Sequence, residues 1–177
     1  MAALSTLEHK LNDVFVKNAP FQLPVNAKKV IVQYLPYVNL VLGLLTLLAA
    51  YTLWTWARTA DRLVDYANSL TAYYGGSAFV PQQRFTIVIW FGLIVLLIEA
   101  VLFIMAFKPT QGMKKAGWDL LFYALLVNVV YGVVMIFADY GGVSTFISTV
   151  ISTVIGLYFL FQVRDQYAGA KAAKAKV

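Results

Sequence analysis

The sequence predicts an all-α fold, an integral membrane four-helix bundle preceded by an N-terminal amphipathic interfacial helix. Three observations carry that expectation. Residues 33–56, 85–107, 118–138 and 143–163 form separate, largely apolar stretches, each close to the roughly 20 residues that a helix needs to cross a hydrocarbon core about 30 Å thick. A hydrophobic content of 61% and a mean hydropathy of +0.74 would leave a water-soluble domain too little polar surface to cover itself. The basic residues also sort by loop. With four spans, one side holds Lys10, Lys17, Lys28 and Lys29 ahead of the first span, Lys108, Lys114 and Lys115 in the second loop, and Arg164, Lys171, Lys174 and Lys176 in the tail. Only Arg58, Arg62 and Arg84 fall on the other side. Three or five spans would scramble this sorting, and the positive-inside rule then places both termini in the cytoplasm.

The chain divides accordingly into a cytoplasmic helix and linker (1–32), a transmembrane domain (33–163) with an outer helical loop (57–84), and a basic tail (164–177). In the first part, Ser5 and Glu8 make a capping-box pattern, and Leu4, Leu7, Leu11, Val14 and Phe15 recur at helical spacing. Ala19-Pro20 and Leu23-Pro24 end the helix. It lies either along the cytoplasmic lipid interface, with Lys10, Lys17, Lys28 and Lys29 toward the head groups, or against the inner end of the bundle. The charges Glu8, His9, Lys10, Asp13 and Lys17 exclude the apolar core of a cleavable signal peptide.

Pro36 stands in the opening turns of the first span, where a missing amide donor costs least. Beyond Trp56 the helical pattern continues through Ala60, Leu63, Val64, Ala67, Leu70 and Tyr74, and Gly75-Gly76 supplies a stop. Arg58, Asp61, Arg62 and Asp65 lie on its other face at pairing distance, which reads as a solvated ion-pair row rather than a catalytic or metal site. Turns follow at Lys108-Pro109-Thr110-Gln111-Gly112 and Asp139-Tyr140-Gly141-Gly142. Trp54, Trp56, Trp90 and Trp118 fit aromatic belts at the ends of spans.

Two features carry chemistry. Glu99 lies in the second span, roughly 4–5 Å from the bilayer centre at 1.5 Å rise per residue. An ionisable group at that depth should face the bundle and find a partner. The third span offers Asn128 and Tyr131, and the first offers Asn39. Glu99 is expected to be neutral at pH 7 and hydrogen-bonded to Asn128 or Tyr131, since no cation stands at matching depth. The fourth span repeats Ser144-Thr145, Ser148-Thr149 and Ser152-Thr153 before Gly156. Ser144, Ser148, Ser152 and Gly156 therefore mark a face of small side chains able to seat another helix. The expected partner is the first span, through Gly43, Thr46 and Ala50, or else another subunit. The hydroxyls can instead bond the carbonyls of their own helix.

A net charge of +6 does not point to nucleic acid, because the lysines flank apolar spans and meet lipid head groups. The absence of cysteine rules out disulfides and thiolate metal ligands; no metal or cofactor is expected. His9, the single histidine, sits on the N-terminal helix with no catalytic partner in view.

The run Leu-Glu-His-Lys-Leu-Asn-Asp-Val-Phe from Leu7, then Ala-Pro-Phe-Gln-Leu-Pro, Lys28-Lys29, Tyr34-Leu35-Pro36 and Asn39-Leu-Val-Leu-Gly43 resembles uncharacterised small multi-span membrane proteins of ultrasmall candidate-phylum bacteria. The resemblance covers the first third of the chain. It implies a bacterial inner-membrane setting and carries no functional residue with it. The expectation is a non-catalytic structural or interaction subunit that packs through its fourth span, within the bilayer and within a homo-oligomer or larger membrane complex. The alternative is a small proton-linked transporter or channel centred on Glu99, Asn128 and Asn39.

Overall fold

The computed structural model describes residues 2–19, 21–75, 87–136 and 142–167, leaving the side chains of residues 2–5, 142, 143 and 145 undescribed. Readings made on Gly76, Arg84, the turn at Asp139 to Gly141 and residues 168–177 lie outside the described residues. Every regular element described is helical: α1 (Ala2–Asn12), a π-helix (Asp13–Lys17), α2 (Val25–Tyr73), α3 (Ile87–Gln111), α4 (Lys115–Ile136) and α5 (Gly142–Gln162). Helices α2, α3 and α4 are long and apolar enough to cross a membrane; in α5 the fully described apolar stretch, Phe146–Gln162, is shorter. Large apolar side chains such as Leu48, Val101 and Ile151 face outward on three of these helices, a surface that a water-solvated monomer rarely carries.

Helix α2 departs from its expected limit at its N-terminal end. It begins at Val25, not at residue 33, behind an N-cap Pro24 that offers no side-chain bond. Pro36 is consequently a buried interior residue of the helix, and the carbonyl one turn before it loses its usual donor. The helix then continues through Trp56 to Tyr73, 49 residues in all, or about 73 Å at 1.5 Å per residue. The outer helix expected within 57–84 is thus a direct extension of the first span. It stops at Gly75, whose φ of +71° is open to glycine at little steric cost. Helix α3 likewise runs past Pro109 to Gln111, so the turn into α4 occupies Gly112, Met113 and Lys114.

The long helices pack in chain order, α2 on α3, α3 on α4 and α4 on α5. Gly43 permits the first of these contacts: a Cβ there would lie 2.8 Å from Ile104 Cγ1 and 3.4 Å from the Ala100 carbonyl. At Gly132 a Cβ would lie 2.6 Å from Thr149 Cγ2, so α4 and α5 also meet backbone to side chain. The densest packing is at the end that carries Lys28, Lys108, Lys115 and Arg164, the basic end. There Val32, Ala106, Trp118, Phe122, Leu160, Phe161, Val163 and Tyr167 form one cluster. Trp118 is not in an aromatic belt. It is buried, stacks on Phe122 with centroids 5.3 Å apart, and its indole N–H donates to the Leu160 carbonyl at 2.8 Å. Burial pushes the neighbouring Tyr167 phenol, beyond the last apolar stretch, up to about 12.

The N-terminal segment is seated on this end, the second of the two placements open to it. Because α1 begins at Ala2, Ser5 lies inside the helix and is not its N-cap. Glu8 turns to Arg164 instead, with Lys115 Nζ 3.7 Å away. Both cations lie over the Trp118 ring, at 5.6 and 5.7 Å. The π-helix brings Phe15 against Phe161, centroids 6.0 Å apart. Its last carbonyls need outside donors, since Pro20 has no N–H. Gln162 Nε2 donates to the Phe15 carbonyl at 2.9 Å and Gln22 Nε2 to that of Val16 at 3.1 Å. Gln162 also accepts from the Leu23 amide at 3.3 Å, so one buried side chain holds the linker from both directions. Lys10, Lys28 and Lys29 stay at or near the surface, and the exposed Lys17 pairs with Asp13 at 2.7 Å.

The contact at Gly132 has a measurable consequence. Gly132→Ala should lower the unfolding free energy in detergent by about 1–3 kcal/mol, the usual cost of overpacking. Thr149→Ala in the same chain should restore most of it. An unchanged thermal midpoint in Gly132→Ala would mean that α4 and α5 stand further apart than described.

Candidate functional site

Midway along the long helices, three polar side chains meet in apolar surroundings. Glu99 on α3 is buried. Asn128 on α4 donates through Nδ2 to Glu99 Oε1 at 3.1 Å. Thr153 on α5, also buried, donates through its hydroxyl to Asn128 Oδ1 at 3.3 Å. The asparagine amide has donor and acceptor on opposite branches, so one residue can accept from α5 and donate to α3. A single chain of hydrogen bonds thereby crosses three helices.

The helices bring these groups together for local reasons. Glu99 shares its face of α3 with Gly92 and Val95, both buried. Asn128 and Gly132 are one turn apart on α4, and Gly132 is a point of close approach to α5. Thr149 and Thr153 are one turn apart on α5, the first against Gly132 and the second against Asn128. The close approach of two backbones and the polar contact are parts of one interface.

Sequence reasoning named two of the three residues. Tyr131, the other partner offered to Glu99, stacks on Phe91 with centroids 6.2 Å apart and lines a separate cavity of about 210 Å³ with Leu53, Trp56 and Met135. Asn39 does not join the chain. It is buried on α2 with no hydrogen-bond acceptor for Nδ2 among the described residues. Spacing alone does not distinguish Thr153 from the serines beside it.

The seam of α5 accordingly lies on the threonine face and not on the serine face expected from the sequence. Ser144, Ser148 and Ser152 are exposed, whereas Thr153, Leu157 and Leu160 are buried. Serine and threonine alternate as neighbours, so both make four-residue repeats, and spacing alone cannot say which turns inward. The threonine methyl fills space that a serine would leave empty, which favours the threonine face for packing. Ser152 bonds back to the Thr149 carbonyl of its own helix at 3.0 Å. Gly156 does lie at the seam, with Leu125 of α4 2.9 Å from where a Cβ would stand. The intramolecular partner of α5 is therefore α4, not the first span. Gly43 serves the α2–α3 contact, and Thr46 bonds back to the Leu42 carbonyl at 2.8 Å.

Elsewhere, Arg58 lies over the Trp54 ring at 5.4 Å. Among the described residues no group of three His, Asp or Glu side chains is placed to hold a metal ion. No family model, curated protein or solved structure matches this chain.

The three-helix chain predicts a specific pattern of stabilities. Glu99→Gln retains an oxygen for Asn128 and should change stability by less than about 1 kcal/mol, whereas Glu99→Leu strands a buried amide donor and should cost about 1–3 kcal/mol. Adding Asn128→Leu to Glu99→Leu should cost less than the two single changes summed. Strict additivity in a detergent unfolding cycle would show that the two side chains do not interact.

Proposed function

We propose that this chain is a non-catalytic structural or interaction subunit of a bacterial inner membrane, crossing it four times with both termini in the cytoplasm and meeting its partner through α5. The observation that carries this reading is the division of labour on α5. The threonine face is occupied within the chain, and Ser144, Ser148 and Ser152 point away from it. Between helices in lipid there is no hydrophobic drive, and small side chains that let backbones approach are the usual basis of association. Isoleucines 147, 151 and 155 flank the serines on the same outward side. A second copy of this chain or a helix of a larger complex fits such a face equally well.

The setting is supported independently. The basic residues gather at one end of the long helices, as expected of a cytoplasmic surface beside anionic lipid. An inner-membrane home is what the resemblance read in the first third implies. Glu99 is tied to Asn128, and among the described residues no further carboxylate, Lys, Arg or His side chain stands at its depth in the apolar stretches, which suits a structural clasp better than a conduit.

One observation favours the second reading, a small proton-linked transporter or channel: a carboxyl, an amide and a hydroxyl are joined in series near the middle of the span. The two readings separate in liposomes. A proton flux that wild type supports and Glu99→Gln abolishes would establish the transporter.

The absence of native cysteine makes the test of the preferred reading clean. A photo-crosslinking maleimide attached to Ser148→Cys or Ser152→Cys in native membranes should yield a discrete adduct with a second copy or a partner. The same probe at Ile94→Cys, on the outward face of α3, should label only lipid. Adducts of equal yield from all three positions, or from none, would refute a partner surface on α5.

A further inference from the structure

Helix α2 does not end where its apolar stretch does. Arg58, Asp61, Arg62 and Asp65 follow Trp56, and the helix runs on to Tyr73, roughly 25 Å further at 1.5 Å per residue. Ala57 and Ala60 line a cavity with Val88 and Ile89 of α3 and Met135 of α4, so that side of the helix faces the bundle. The opposite side carries Trp56, Thr59, Leu63, Tyr66, Leu70 and Tyr73, spaced alternately by three and four residues. All six are exposed, Leu63 to 64%, Tyr66 to 63% and Tyr73 to 83%. With residues 33–56 in the bilayer, Tyr66 and Tyr73 stand roughly 15 and 25 Å past Trp56. That is beyond a head-group layer of about 5–7 Å, so lipid does not cover them and they form no interfacial belt. Leucines and tyrosines facing water on a strict heptad repeat have the pattern of a coiled-coil seam.

We infer that the outer part of α2 pairs in parallel with the same helix of a second copy of this chain. Orientation, charge and area select that occupant. Copies inserted in one bilayer with a common orientation carry their extensions parallel and at one height. Each seam residue then meets its own equivalent about a twofold axis along the membrane normal. The repeat suits that register: Trp56, Leu63 and Leu70 take one core position, and Thr59, Tyr66 and Tyr73 the other. Tyrosine rings can pack at the seam while their hydroxyls reach water at its edge, and the Thr59 hydroxyl already donates to the Thr55 carbonyl at 2.9 Å. Charge stays out of the contact. Arg58, Asp61 and Asp65 sit off the seam, and Arg62 at its flank falls opposite Ala67 of the second copy, so no like charges meet. Burying about two thirds of the surface that the six residues expose removes roughly 1,000 Å² from water over two copies, the lower bound of a specific interface. Confinement to one membrane raises the effective concentration of the two extensions, so that about two and a half heptads suffice. The pairing rests on α2 alone and holds whichever partner α5 takes.

Disulfide trapping in native membranes reads this pairing directly, because the chain has no cysteine of its own. Leu63→Cys, Tyr66→Cys and Leu70→Cys should oxidise with copper phenanthroline to a species of twice the chain mass. Their yield should be several-fold higher than that of Arg58→Cys or Ala72→Cys, which are exposed but off the seam. Two differently tagged Tyr66→Cys chains expressed together should be recovered in one disulfide-linked species. Leu63→Glu with Leu70→Glu, both at exposed positions, should abolish it. The inference is overturned by equal yields on and off the seam, by no dimer at any seam position, by a Tyr66→Cys adduct that holds a different protein in place of the second tag, or by a dimer that survives the two glutamates.

Discussion

Hydrocarbon offers no hydrogen bonds, and a chain with three helices long and apolar enough to cross a membrane is built as that constraint requires, from backbone to side chains. A backbone in such a medium must satisfy itself, which it does here as long helices. The hydroxyls follow the same rule: Thr46, Thr52 and Thr59 each bond a carbonyl one turn back on α2. Groups that do not turn back on their own helix find partners on other helices, and each such contact becomes a tie. Glu99, Asn128 and Thr153 join α3, α4 and α5. Trp118 joins α4 to α5 by its indole N–H, and Gln162 joins α5 to the N-terminal segment. The polar residues therefore specify how α3, α4, α5 and the N-terminal segment lie together, whereas α2 meets α3 through the close approach at Gly43.

Packing does the remaining work by proximity. Gly43 and Gly132 allow two of the three helix contacts to close, and the gain is dispersion between surfaces that lipid would otherwise wet equally well. At the basic end the chemistry changes, since charges there can reach water. Glu8, Arg164, Lys115 and Asp119 form a cluster around Trp118. Partly exposed pairs of this kind are worth only about 0.2–1 kcal/mol each. Their larger effect is positional, because Glu8 contacts Lys115 of α4 and Arg164, just beyond α5, at once. With Phe15 and Gln162 they seat the N-terminal segment over the densest part of the core.

Much of this was legible in the residues. Helical class, the apolar lengths and the partnership of Glu99 with Asn128 follow from composition, spacing and the cost of a buried carboxyl. The failures share a cause: one-dimensional patterns do not fix rotation or neighbour choice. The serine and threonine stripes of α5 have the same period and sit side by side, and only the contact with Gly132 and Asn128 selects the threonines. Gly43 announced a close approach but not to which helix. Ser5 and Glu8 matched a capping box, yet Arg164, far along the chain, competes for Glu8. Pro36 fitted the opening turns of a span beginning at residue 33, but helical continuity from Val25 makes it an interior residue. Asn39 gave a signal of another sort, a polar residue in an apolar run, and its isolation emerged only once neighbours were in place.

Power-saturation spectroscopy of spin labels in lipid vesicles tests most directly that hydrocarbon surrounds these helices. Single cysteines at Leu48, Ile94, Val101 and Ile151 place labels on outward faces of α2, α3 and α5. All four should collide freely with dissolved oxygen and rarely with a water-soluble nickel complex. Frequent nickel collisions at these positions would mean that water, not lipid, covers the outer surface.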